Sequence, residues 1–273
     1  MKALYYYDSM SITREGIEDA FKKSGLRNGD VVMVHSDVGR FGRLGDIHNR
    51  ENFLDSILDA FLNVLGKKGT LIVPTFTYSF CNNKVFDVRN TPSTVGIFTE
   101  HVRRKNRAVR SAEPIFSCAG IGRHAKKLLE KVGNECFGED SLFDRLHKID
   151  GKLMLFGRPF DITYTHYVEK AFGVKYRFDK IFSGMIINGS GKSYFSEFCY
   201  FARYLDRNVN YKMEYLGNEL FKRGLLKKVG LGHSSILLCR AKDVFNVGIE
   251  MLKNNKYAFL ANIQDRINDV KNN

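Results

Sequence analysis

No tryptophan occurs in this chain of 273 residues, and only 4 prolines and 5 cysteines do. So little proline excludes collagen-like and proline-rich classes. Five cysteines are few and odd in number, which excludes a disulfide-stapled scaffold and predicts a reducing, cytoplasmic setting. Long apolar runs are missing too. Stretches such as Ile236-Leu237-Leu238-Cys239 fall far short of the ~20 residues that a membrane-spanning helix needs. The segment from Met1 to Asp8 has no signal-peptide core, so no membrane insertion is expected. Neither Cys-x-x-Cys nor His-Glu-x-x-His is present, and no metal site is predicted. The Gly-x-Ser-x-Gly elbow of serine hydrolases is absent. Gly191-Lys192-Ser193 lacks the leading glycine of a phosphate loop and reads as part of a turn.

What is abundant points to a folded, basic protein. The 22 phenylalanines and 13 tyrosines rule out intrinsic disorder. A surplus of 43 Lys+Arg over 30 Asp+Glu gives a net charge of +13, which implies an anionic partner. Nucleic acid is one candidate, and a phosphate-bearing cofactor or substrate is another. Zinc-finger spacing, aromatic RNA-binding motifs and a helix-turn-helix are all missing, so nucleic acid is not the expected partner.

Hydrophobic spacing predicts helices over 13–23, 51–65, 94–104, 125–132, 164–172, 215–223 and 241–254. Continuous apolar runs at Val31–Val34, Leu71–Val73 and Lys152–Phe156 suit strands covered on both faces. Alternation over 181–187 and 192–198 around Asn188-Gly189-Ser190-Gly191 predicts an antiparallel hairpin, and Ser235–Cys239 a further strand. The expected fold is one α/β domain over 1–273. It has three layers, α/β/α, around a mixed sheet that is parallel in its N-terminal part and antiparallel in its C-terminal part.

Small and hydroxylated residues cluster where strands give way to loops: His35-Ser36, Pro74-Thr75-Phe76-Thr77, Arg110-Ser111 and Gly157. Ligands of open α/β sheets sit at such carboxyl ends. On the helix predicted over 164–172, His166 and Glu169 are three residues apart and share a face. They could act as base and orienting carboxylate, although such a pair taken alone is more often surface decoration. Cys118 and Cys136 read as core thiols rather than nucleophiles.

Taken in order, these blocks resemble the aminoglycoside 3-N-acetyltransferase family. Val34-His35-Ser36, the run Gly69 to Thr77, Thr91-Pro92-Ser93-Thr94-Val95-Gly96 with Glu100 and Arg103, and Arg110-Ser111 with Pro114 carry the likeness. So do Ser117 to Gly122, Gly138 with Ser141, Thr163 with His166 and Glu169, Tyr176-Arg177 and Val229-Gly230. Asp37, Glu113 and Leu142 depart from the family pattern, which has Ser, His and Pro there. The resemblance implies acetyl transfer from acetyl-CoA to an amine of an amino sugar by direct attack. It implies His166 as general base and Glu169 as its partner. His35, Ser36, Thr75, Phe76, Thr77 and Ser117 would line the donor arm, with Arg110 and Ser111 on the CoA phosphates. The +13 charge favours a nucleotide-linked amino sugar of surface polysaccharide as acceptor. The alternatives are a polycationic aminoglycoside and, more remotely, a nucleic-acid-binding role. Oligomeric state is left open, a homodimer included.

Overall fold

The computed structural model describes residues 2–47, 49–205 and 209–261. A short hairpin, β1 (Tyr5–Tyr7) and β2 (Met10–Ile12), leads into α1 (Arg14–Ser24). Thr13 caps α1 by accepting the Gly16 N–H, and Gly25 closes it at φ 102°, the left-handed region that suits glycine. Then follow β3 (Val31–Ser36), β4 (Arg43–Leu44), α2 (Arg50–Leu65), β5 (Thr70–Pro74) and β6 (Phe86–Asp87). The middle of the chain gives α3 (Ile97–Arg103), β7 (Val109–Arg110), β8 (Cys118–Gly122), α4 (Ala125–Leu129), α5 (Leu142–Lys148), β9 (Lys152–Phe156) and α6 (Thr165–Phe172). Next come the long strands β10 (Arg177–Ile187) and β11 (Ser193–Arg203), then α7 (Glu214–Lys222), β12 (Lys227–Leu231), β13 (Ser234–Arg240) and α8 (Ala241–Asn254).

Seven strands form the central sheet in the order β12-β13-β9-β3-β5-β8-β7. Its middle is parallel, with β3 between β9 and β5. Both flanks are antiparallel: β13 and β12 on one side, β8 and β7 on the other. The sheet is therefore mixed, as expected, with a second antiparallel flank in mid-chain. Alternate side chains feed two cores. Val32, Val34, Leu71, Val73, Met154 and Phe156 join the core shared with α1, α2 and α3. Met33, Ile72, Leu153 and Leu155 join the other core, beneath α5, α6, α7 and α8. Strands buried on both faces explain the continuous apolar runs, and the three layers follow.

The predicted hairpin exists but is longer and lies outside the central sheet. β10 and β11 pair over their full length and, with β6, make a separate three-stranded sheet. Two helices are shorter than spacing suggests. Thr94 is tied back by its N–H and hydroxyl to the Phe76 carbonyl, so α3 starts later. The Arg145 guanidinium takes the carbonyls of Lys127, Leu128, Glu130 and Lys131, which ends α4 early.

Candidate active site

The carboxyl ends of β3, β5 and β9 lie on one edge of the sheet, with Ser36 registered against Phe156. There the loop after β5 is braced against the start of β8. Thr75 Oγ1 donates to the Ser117 carbonyl at 3.0 Å, Ser117 Oγ donates to the Thr75 carbonyl at 2.7 Å, and Thr77 Oγ1 donates to the Pro114 carbonyl at 2.8 Å. Ser111 Oγ accepts the Cys118 N–H, and the buried Phe76 ring meets Phe116 edge-on at 5.1 Å. Arg110 sits under these loops. Its guanidinium donates to Thr75 Oγ1 and carbonyl, Ser117 Oγ, and the carbonyls of Val88 and Thr91. Burial and the like charge of Arg103 push its pKa down to about 9. Arg110 and Ser111 thus hold loops together, and their polar atoms are turned to protein partners rather than outward to a phosphate.

His35, at the end of β3, is buried and neutral, its pKa pushed down to about 4 by burial and the nearby Arg158 cation. Its Nε2 lies 3.2 Å from Thr163 Oγ1 and accepts the Thr163 N–H at 3.5 Å. That places the ring proton on Nδ1, and Nδ1 is buried with no hydrogen-bond partner among the described residues. A buried donor without an acceptor is costly. At the mouth of a strand, it suits a carbonyl oxygen supplied from outside. Beside it opens a groove of ≈850 Å³ lined by Gly157, Arg158, Phe160, Arg40, Lys228 and Ser234, among others, a size that fits an extended cofactor-like molecule.

Thr163 joins this edge to the acid–base pair, because its carbonyl accepts the His166 N–H at the start of α6. His166 Nδ1 lies 2.7 Å from Glu169 Oε2. Glu169 is fully buried and makes two further contacts: Arg177 Nε stands 2.9 Å from Oε2, and the Tyr176 hydroxyl donates to Oε1 at 2.9 Å. Burial alone would raise its carboxyl, but Arg177, His166 and Tyr176 outweigh that and hold it below the usual range. Burial and the Arg177 cation lower His166, against the pull of Glu169. The imidazole is therefore neutral near pH 7 and able to accept a proton. Its side chain keeps 19% exposure, with Phe137 edge-on at 5.2 Å and Tyr211 at 5.9 Å.

Arg177 introduces a competition. Its Nη2 also reaches His166 Nδ1, at 2.8 Å. A guanidinium only donates and a carboxylate only accepts, so Nδ1 serves one of them at a time. With the proton on Nδ1 toward Glu169, Nε2 carries the lone pair that a general base requires, with Arg177 Nη2 3.3 Å from it. With Nδ1 accepting from Arg177, Nε2 is protonated and the base is blocked.

The structure thus brings His166 to Glu169 and links both to His35 through Thr163. Ser36 is half-buried at the same edge. Thr75, Phe76, Thr77, Ser111 and Ser117 form the braced loop alongside. Sequence reasoning gave Arg177 no role, although the Tyr176-Arg177 pair carried part of the resemblance, and it had no signal for the ring contacts of Tyr211 and Phe137 with His166. No group of three His, Cys, Asp or Glu among the described residues could hold a metal.

The family model described as aminoglycoside 3-N-acetyltransferase matches residues 33–253. The aminoglycoside N(3)-acetyltransferase IX of Micromonospora chalcea is 25% identical, over 89% of this chain and 94% of its own. The solved structure of AAC-IIIb with CoASH superposes at a TM-score of 0.76 with 20% identity, covering 92% of this chain and 98% of that one. AAC-VIa bound to sisomicin superposes at 0.77 with 20% identity, covering 90% and 98%. Arranged around the same ordered blocks, with the match spanning most of its length, the chain belongs to the aminoglycoside 3-N-acetyltransferase family.

Proposed function

We propose that the protein transfers the acetyl group of acetyl-CoA to an amine of an aminoglycoside-type amino sugar, with His166 as general base. The observation that carries this is the 2.7 Å contact between His166 Nδ1 and a fully buried, ionised Glu169 within the family's matched span. An ammonium has no lone pair, so the acceptor must lose a proton before it can attack a thioester. The neutral His166 Nε2 can take it. Direct attack needs no enzyme nucleophile. Cys118 and Cys136 agree with that, since burial pushes both thiols well up. The donor arm would run along His35, Ser36 and the loop Thr75 to Thr77. His35 Nδ1 is a fitting donor to an acyl or amide oxygen there. The cations Arg40, Arg158 and Lys228 in the adjoining groove suit the CoA phosphates better than Arg110 does. A cytoplasmic setting, where acetyl-CoA is at hand, goes with this reading.

The net charge of +13 favours a second acceptor, a nucleotide-linked amino sugar. It is the weaker reading, because the relatives are named for aminoglycosides and two cation-lined grooves do not include His166. Thiol release from acetyl-CoA, followed against a panel of aminoglycosides and nucleotide-linked amino sugars, separates the two. Efficient turnover of aminoglycosides is expected. Turnover confined to nucleotide sugars would reverse the choice, and none with either would overturn acyl transfer itself.

A further inference from the structure

Tyr211 has no part in the mechanism above, yet it stands against the base. Its ring centroid is 5.9 Å from that of His166, and the Arg177 guanidinium lies 5.1 Å over its face. A β-bridge to Leu260 pins its backbone. Tyr5, Tyr164, Tyr167 and Tyr176 each place their hydroxyl against a protein partner: the Val38 carbonyl, His147, Asp144 and Glu169. The Tyr211 hydroxyl is also buried but has no hydrogen-bond partner among the described residues. Native proteins seldom leave such a group idle. Arg177 cannot satisfy it, because a guanidinium only donates and the phenol proton would still lack an acceptor. Burial, then the Glu169 carboxylate, push the phenol above its ordinary range and outweigh the Arg177 charge and the hydrogen bond that Arg177 can donate to the phenol oxygen. It therefore stays protonated, a fixed neutral donor beside a cation.

We propose that the Tyr211 hydroxyl is the donor that stabilises the oxyanion of the acetyl transfer. The inference rests on the acyl-transfer reading. The amine lone pair forms the C–N bond at the thioester carbon, and the carbonyl π pair moves onto oxygen. His166 Nε2, having passed the ammonium proton to solvent, takes the second proton from the amine, while Tyr211 donates a hydrogen bond to the new oxyanion and keeps its own proton. On collapse the carbonyl re-forms, the C–S bond breaks, and the CoA thiolate receives the proton held by His166. An amine at His166 puts the reacting carbon one bond further on, beside the imidazole that the Tyr211 ring touches. In the free protein the hydroxyl lacks an acceptor, and the oxyanion supplies one.

The test compares wild type with Tyr211→Phe, which keeps the ring and its contact with Arg177. The expected result is a fall in kcat of ~10²–10³-fold, the usual worth of one oxyanion donor. KM for both substrates should stay within a few-fold, and the acidic limb of the pH–rate profile, set by His166, should not move. Site-specific 3-fluorotyrosine at position 211 should keep most of the activity, because it retains a hydroxyl; it also decides the matter if the Phe variant does not fold. A kcat within about threefold of wild type, a change confined to KM, a shifted acidic limb, or a fluorotyrosine enzyme as impaired as the Phe variant would each overturn the role. In all of these the wild type is active, so acyl transfer itself survives. A wild type that releases thiol with no amine overturns that reading and this one together.

Discussion

His166 can act as a base only while Glu169 wins Nδ1 from Arg177. Glu169→Gln weakens that hold, because an amide oxygen is a poorer acceptor and leaves the Arg177 cation uncompensated. Turnover should fall by ~10²–10⁴-fold, the usual worth of a positioned base. In whatever activity remains, the acidic limb of the pH–rate profile should move to lower pH, because the carboxylate now raises the imidazole pKa. An unmoved limb would count against the pairing. Glu113 makes a different prediction. It is buried, accepts from the N–H groups of Ile115 and Phe116 and the Cys136 thiol, and burial pushes its pKa up to about 7. An acid whose folded pKa lies above its unfolded value stabilises fully below the ordinary carboxylate range, and that contribution is lost as pH rises toward 7. Stability should therefore decline between about pH 4.5 and 7, by on the order of 3 kcal/mol. Glu113→Gln should flatten the decline, as read by denaturant unfolding at pH 5 and 8; an equal slope in both proteins would sink the assignment. Helical spacing puts His166 and Glu169 on one face, and the family resemblance is what singled them out. The Tyr176-Arg177 pair entered only through the resemblance, and a single arginine opening a strand has no periodic signature to give it a role. Arg110 the sequence could not place, because a basic residue beside a serine looks the same whether it faces phosphate or, as here, five protein acceptors.

Elements with a local cause were legible, and those set by distant partners were not. The Thr13 cap and the Gly25 terminator fix α1 within a few residues of sequence, and the spacing found them. The start of α3 depends on a bond from Thr94 to Phe76, and the end of α4 on Arg145, so neither boundary is written nearby. The β10–β11 hairpin announced itself by its turn, where Asn188 Oδ1 accepts from the N–H groups of Ser190 and Lys192. Its exclusion from the central sheet depends on pairing with β6, far back in the chain. The turn between β12 and β13 makes a sharp test of such long-range fit. Gly232 has φ 56°, and a Cβ there would strike the Phe41 carbonyl, which also accepts the His233 N–H at 3.1 Å. Gly232→Ala meets both an unfavourable backbone conformation and a collision with main chain. It should cost at least about 2 kcal/mol in denaturant unfolding. A cost under about 0.5 kcal/mol would mean that the turn relaxes and that the 38–41 loop is not held by this junction.

A net charge is a sum, and the sequence gives only the sum; the fold decides where it falls. Arg40, Arg158 and Lys228 line the groove beside Gly157. Arg89, Arg104 and Lys131 line another, beside the edge strand β7. Around His166, Glu169 and Arg177 offset each other, and Asp161 adds a further carboxylate. The surplus therefore bears on the donor and on long-range approach more than on the acceptor's final contacts. Acetyl-CoA carries phosphates, so its kcat/KM should fall as salt screens the attraction; the screening length shrinks from about 30 Å at 0.01 M to about 10 Å at 0.1 M. A polycationic aminoglycoside approaching the same +13 chain is repelled at long range, so its kcat/KM should rise over that interval. A nucleotide-linked sugar would show the donor's slope instead. The two acceptor classes thus differ in the sign of one measurement, taken at saturating co-substrate and several salt concentrations. A falling slope for the aminoglycoside would mean that acidic groups close to His166 dominate its approach. A flat donor slope would mean that the cationic grooves do not serve acetyl-CoA.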